Sequence, residues 1–290
     1  MSRPATLLLP ALALLSQAAC MSLDGLIIPA RPTDAYELNA ERVPSDALEL
    51  VTFTAADGQE LHGLWARQPS AAPPLIFFHG NGGNIDHYIG RVDALWDWGT
   101  HDVFTFDYRG FGRSPGPPTR DGILLEDGLA AVNYVAETTG VDPARIPWVS
   151  LSLGSAVAVH TSPQIDAAVI VVESMFPSAR ALGNDGVGLD LPEGWFFRES
   201  WDNLAAISRA AAPVLVIHGT EDTFIDSRYA LDVYEAAPQP KALWQPEGVG
   251  HSDLHQVDPD GWRTQVLDWI ATHAPDDDPP DDDTDAETSE

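Results

Sequence analysis

Cysteine is almost absent from this chain: Cys20 is the only one in 290 residues. No intramolecular disulfide can form, and no cysteine-based zinc or iron–sulfur centre can be assembled. Lysine is equally scarce, with Lys241 alone, so the 15 basic side chains are nearly all arginines and face 44 acidic ones. A formal charge of −29 argues against nucleic acid as the main partner, because phosphate binding needs a basic face. It argues equally against electrostatic docking on anionic lipid. No apolar run approaches the roughly 20 residues of a membrane-spanning helix, and there is no internal repeat. What is present is a globular composition, 44% hydrophobic. The length suits one large α/β domain or two smaller ones.

The two ends differ from the middle. Residues 276–290 hold nine of the acids and no base, which leaves 35 acids against 15 bases in the rest. Such a tail cannot bury a core and is expected to be disordered, with solubility or a salty habitat as its simplest explanation. At the other end, Arg3 precedes an apolar run over 5–15, broken by Thr6 and Pro10 and followed by small residues up to Cys20. A short basic start, a short apolar core and small residues make a secretory signal over 1–19, so the chain is expected to be exported. Ala18, Ala19 and Cys20 resemble a bacterial lipoprotein signal, in which the cysteine is lipidated and anchors the protein without a span. Gln17 departs from that pattern, and ordinary cleavage after Ala18 is the alternative; sensitivity of processing to globomycin separates the two.

Between the ends the pattern is regular. Residues 20–44 are punctuated by proline and read as an extended lead-in to a domain over 45–275. Runs at 48–53 and 60–66 flank the turn Asp57-Gly58 and predict a hairpin. Apolar strands follow at 75–78, 103–106, 146–151, 168–172, 214–217 and 242–244, with helical candidates at 85–98, 122–137, 153–160, 227–236 and 259–273. Near-continuous apolar strands alternating with helices predict an α/β fold whose mostly parallel sheet is covered on both faces. The segment 175–209 breaks the alternation and carries Trp195, Phe196, Phe197 and Trp201. It reads as a small cap insertion over the carboxyl edge of the strands, where ligands bind in such sheets, or as a peripheral helix pair with its own core.

Four motifs carry chemistry. In Ser150-Leu151-Ser152-Leu153-Gly154 an apolar strand runs into a turn and then a helix of small residues. A sharp strand-to-helix turn lifts the Ser152 oxygen off the sheet edge and leaves the next backbone N–H aimed at an oxyanion. Ser150 stands where glycine is usual in this pattern, and Ser150 and Ser155 are poorer nucleophile candidates because neither is at the centre of the turn. In His79-Gly80-Asn81-Gly82-Gly83-Asn84 a strand ends in a glycine-rich loop before a helix, where the backbone of Asn81 is placed to supply a second oxyanion donor beside that of Leu153. His218-Gly219-Thr220-Glu221-Asp222 puts an acid just past a strand, and Gly248-Val249-Gly250-His251 puts a histidine before the last helix. Ser152, Asp222 and His251 thus fall in the chain order of a nucleophile, an orienting acid and a general base. His255 is the fallback base, Glu221 and Asp226 are alternative acids, and His79 and His218 are assigned structural hydrogen bonds at strand ends.

These motifs, together with Asp107-Tyr108-Arg109-Gly110-Phe111-Gly112-Arg113-Ser114, resemble the α/β-hydrolase superfamily over roughly residues 45–273. The chain is most similar to the serine hydrolases called BEM46-like or α/β-hydrolase-domain proteins. The resemblance implies an α/β-hydrolase fold, the triad Ser152, Asp222 and His251, backbone donors at Asn81 and Leu153, and structural roles for Asp107 and Arg109. It points to a carboxylesterase- or lipase-like enzyme that cleaves an ester, thioester or amide of a small acyl substrate, with no metal or organic cofactor. A peptidase of the same fold, or a catalytically silent surface lipoprotein with a binding role, is the competing expectation. The oligomeric state is not legible in the sequence.

Overall fold

The computed structural model describes residues 30–117, 121–187 and 201–275. Eight strands form one sheet: β2 (Leu48–Thr54), β3 (Glu60–Ala66), β4 (Pro74–Phe78), β5 (Asp102–Asp107), β7 (Trp148–Leu151), β8 (Ile170–Glu173), β9 (Val214–Ile217) and β10 (Lys241–Trp244). Their spatial order is β10-β9-β8-β7-β4-β5-β3-β2. β2 and β3 are antiparallel to their neighbours, and the other six run parallel. A separate two-residue pair joins β1 (Arg31–Pro32) to β6 (Phe111–Gly112).

The parallel strands are apolar on both faces because both faces are covered. Ile76 and Phe78 of β4, Ile170 and Val172 of β8, and Val214 and Val216 of β9 belong to one core. On that side lie α2 (Asp121–Thr139), α3 (Leu153–Thr161), α5 (Asn203–Ile207) and α6 (Tyr229–Ala236). Leu75 and Phe77, Val171, and Leu215 and Ile217 point the other way, into a core closed by α1 (Ile85–Trp96) and α8 (Pro259–His273). Successive residues of a strand alternate faces, so each strand serves both cores.

Chain starts and stops follow local chemistry. Asn84 caps α1 by accepting the Asp86 N–H, and Asp258 caps α8 by accepting from Gly261, with Pro259 in the first turn. In the segment that interrupts the alternation, α4 (Ala179–Val187) precedes α5, and Trp201, Ala206 and Ile207 are buried in the first core. Trp195, Phe196 and Phe197 lie outside the described residues, as do the leader with Cys20 and the acidic tail. Among the described residues no helix is long and apolar enough to cross a membrane.

Candidate active site

The carboxyl ends of β7, β9 and β10 carry the loops in which the sequence places its candidates. Ser152 follows β7 directly and has φ +54° and ψ −115°, a conformation that non-glycine residues rarely adopt. It occupies the N-cap position of α3, yet its hydroxyl makes no capping bond. That hydroxyl instead lies 3.1 Å from Nε2 of His251, to which it donates, and Nδ1 of His251 lies 2.8 Å from Oδ2 of Asp222. The structure therefore brings Ser152, His251 and Asp222 into one continuous hydrogen-bonded chain.

The turn is kept sharp by close packing. A Cβ on Gly154 would sit 2.0 Å from the Phe78 carbonyl oxygen and 2.6 Å from that of His79, so only glycine lets α3 start this close to β4. Ser150, the departure from glycine, is fully buried, and its hydroxyl donates to the Val171 carbonyl at 2.6 Å while lying 3.1 Å from the Ser155 hydroxyl. Its hydroxyl proton is thus committed to joining β7 to β8. Leu153 is the first residue of α3, where a backbone N–H has no intrahelical acceptor. The loop before α1 comes in alongside: a Cβ on Gly80 would lie 3.5 Å from the Cβ of Ser152. This brings the loop that carries Asn81 next to the turn that carries Ser152.

The acid is held more elaborately than its motif suggested. Asp222 Oδ1 accepts from the backbone N–H groups of Phe224 and Ile225 at 2.9 and 2.8 Å, and Oδ2 also lies 3.2 Å from Nε2 of His218. Burial pushes the Asp222 carboxyl upward, but hydrogen bonds from His218 and His251 and from the Ile225 N–H outweigh it and hold the group far below the usual carboxylate range. Asp222 is therefore an anion beside His251. His218, 1% exposed, also reaches the Ile225 carbonyl at 3.0 Å, so it shapes the turn that carries the acid. Gly219 permits the meeting of the two loops, since a Cβ there would lie 2.2 Å from the Val249 carbonyl oxygen.

Other candidates lie apart from this chain. His255 sits in α7 (Leu254–Val257), where burial and the charge of Arg91 push its imidazole down to about 4. Asp226 accepts from the Arg228 N–H at 2.9 Å. His79 is fully buried, 2.7 Å from the Gly80 carbonyl and 3.1 Å from Asp107. Asp107 also accepts from the Ile85 N–H and the Tyr36 hydroxyl. Arg109 is clamped by Asp127 and Asp57, with its closest contact at 2.6 Å. Asp107 and Arg109 thus fasten the turn after β5. Among the described residues, no group of three or more His, Cys, Asp or Glu side chains is arranged to hold a metal ion.

A family model described as the alpha/beta hydrolase fold matches residues 73–169. The uncharacterized protein YfhR of Escherichia coli (strain K12) is 34% identical over 238 residues, which is 77% of this chain and 80% of that one. The chain belongs to the α/β-hydrolase fold family. Human alpha/beta hydrolase domain-containing protein 17B is also similar, at 28% identity over 211 residues, 72% of this chain and 71% of that one. A solved esterase of Pyrococcus furiosus superposes with a TM-score of 0.67 at 23% identity, over 85% of this chain and 97% of that one, a likeness of fold. In this α/β-hydrolase-fold protein the motifs name the three triad candidates. The supports His218 and Gly219 have weaker signals: a histidine ending an apolar strand and a glycine after it.

Proposed function

We propose that this protein is a serine hydrolase that cleaves an ester, thioester or amide through an acyl-enzyme, most simply as a carboxylesterase- or lipase-like enzyme of the BEM46-like group. The reading rests on one observation, the Ser152–His251–Asp222 chain at 3.1 and 2.8 Å, built on a serine whose backbone is held at positive φ. Ser152 Oγ attacks the acyl carbon and its proton passes to His251 Nε2. Anionic Asp222 keeps the proton on Nδ1 and steadies the imidazolium. The backbone N–H groups of Leu153 and Asn81 receive the oxyanion. The bond to the leaving group then breaks as His251 returns the proton to it. Water, deprotonated by the same histidine, releases the acid from Ser152.

Phe224 is 59% exposed, and its ring centroid lies 5.0 Å from that of His251. We assign it to the apolar contact for the substrate beside the base. Export, and lipidation at Cys20, belong to the same proposal and rest on the pattern of the leader. Ser152→Ala is expected to abolish labelling by a fluorophosphonate probe and to lower kcat on short acyl esters by about 10⁶-fold. Undiminished labelling of that variant sinks the assignment.

A further inference from the structure

Glu173 ends β8 beside the nucleophile turn and touches it from both sides of its peptide. Its carbonyl accepts from the Ser152 N–H at 2.8 Å and from the Ser155 hydroxyl at 3.0 Å, and its own N–H donates to Ser155 Oγ at 3.2 Å. Its carboxylate is buried and receives two parallel bonds from Arg91 of α1, Nη1 to Oε2 at 2.8 Å and Nη2 to Oε1 at 2.6 Å. Both residues are only 2% exposed. The same Nη2 donates at 3.0 Å to the carbonyl of Ser252, the residue after His251. Ser174, next to Glu173, stands at φ +51° and donates its hydroxyl to the carbonyl of His251 at 3.0 Å. Two successive carbonyls of the base loop are therefore held from one strand end, one directly and one through the arginine.

Stability is a poor reason for such a pair. Removing two charges from water costs about as much as their attraction returns, and apolar residues of similar volume often replace a buried pair without loss. Arg91 is buried on α1 among Ile85, Tyr88, Ile89, Val92 and Leu95, its guanidinium carbon lies 5.2 Å from the Trp262 ring centroid, and its Nε has no partner. An apolar side chain would suit that position better. We infer that the Arg91–Glu173 pair, with Ser174, is a positioning device that fixes the backbone of His251 relative to Ser152. The inference rests on the serine-hydrolase reading given above. Arg91 is a positioning residue: it acts through the Ser252 carbonyl. The rigid planar fork of a guanidinium meets both carboxylate oxygens in parallel and still presents a donor to a carbonyl, a geometry that an ammonium on a flexible stem does not fix.

The test uses the full chain. Wild-type protein is first labelled with a fluorophosphonate and assayed on a short acyl ester; no labelling and no turnover would overturn the hydrolase reading itself. Given an active wild type, the double variant R91M/E173M removes the pair without leaving a buried charge unpaired. It is expected to melt close to wild type, to keep KM, and to lose about 10- to 100-fold in kcat and in the rate of phosphonylation. Wild-type kcat in the folded double variant overturns the inference. If that variant does not fold, Ser174→Ala decides, because it leaves the ion pair intact. A drop in kcat at constant KM and melting temperature supports the device, and an unchanged kcat refutes it.

Discussion

Position 150 shows how one residue can depart from a motif and leave the site intact. Ser150 is buried between β7 and the start of α3, where its hydroxyl donates to the Val171 carbonyl and lies 3.1 Å from that of Ser155. Position 154 is the opposite case, because any Cβ there would strike the backbone of Phe78 and His79. The two substitutions should separate cleanly. Ser150→Gly is expected to cost about 1 kcal/mol of stability, the worth of one hydrogen bond, and, on the proposed hydrolase reading, to leave turnover of a short acyl ester near wild type. Gly154→Ala is expected to cost about 3 kcal/mol by overpacking and to displace the Leu153 N–H, with a large fall in turnover. Urea denaturation paired with initial rates on both variants checks this. Equal activity in both would mean that the turn tolerates movement.

At the scale of elements, the lead-in is fastened to the domain by carboxylates. Asp86 of α1 accepts from the N–H groups of Glu37 and Leu38, and Asp93 accepts from those of Arg42 and Val43, both at 2.8 Å. The Tyr36 hydroxyl donates to Asp107, the residue that also holds His79 and the start of α1. The Asp93 side chain is 3% exposed, so a chain beginning at Ser45 would leave a buried carboxylate without its backbone donors. Each hydrogen bond to a charged group contributes about 1.5–3 kcal/mol, so that truncation should destabilise by several kcal/mol. Replacing Asp93 with Asn in the truncated chain should recover part of the loss. A truncated chain with an unchanged urea midpoint would show the strap to be dispensable. The prolines of 21–44 predicted extension, but the partners of the extended chain are set by helix α1, which is distant in sequence.

For the whole molecule, two buried histidines contribute to the response to acid. Burial pushes His101 down to about 4 against the opposing pull of Asp102, and burial with Arg91 does the same for His255. In the unfolded chain both titrate near 6.5. Between pH 6.5 and 4 the unfolded chain therefore binds more protons, and stability rises with pH. The contribution is complete above 6.5 and is lost progressively as pH falls towards 4. Protonation of the many carboxylates relieves repulsion over part of the same range, so the comparison has to be with a variant. His101→Gln combined with His255→Gln should flatten the dependence of the melting temperature on pH across that window. Parallel curves for the variant and the wild type would exclude these two groups as its source.

Sequence alone determined the alternation of strands and helices, because burial on both faces demands apolar strands and a covering helix has its own period. It also named Ser152, Asp222 and His251, since each lies in a short motif whose turn chemistry is local. The structural roles of Asp107 and Arg109 were implied by the family resemblance of their motif and not by their spacing. Tertiary structure decided what joins distant segments: the His218 contact that steadies Asp222, the space Gly219 leaves for the base loop, and the Arg91–Glu173 pair behind it. An arginine in a helix and a glutamate ending a strand carry no pattern by themselves. Their meaning comes from an 82-residue separation closed by the sheet, where burial makes each require the other.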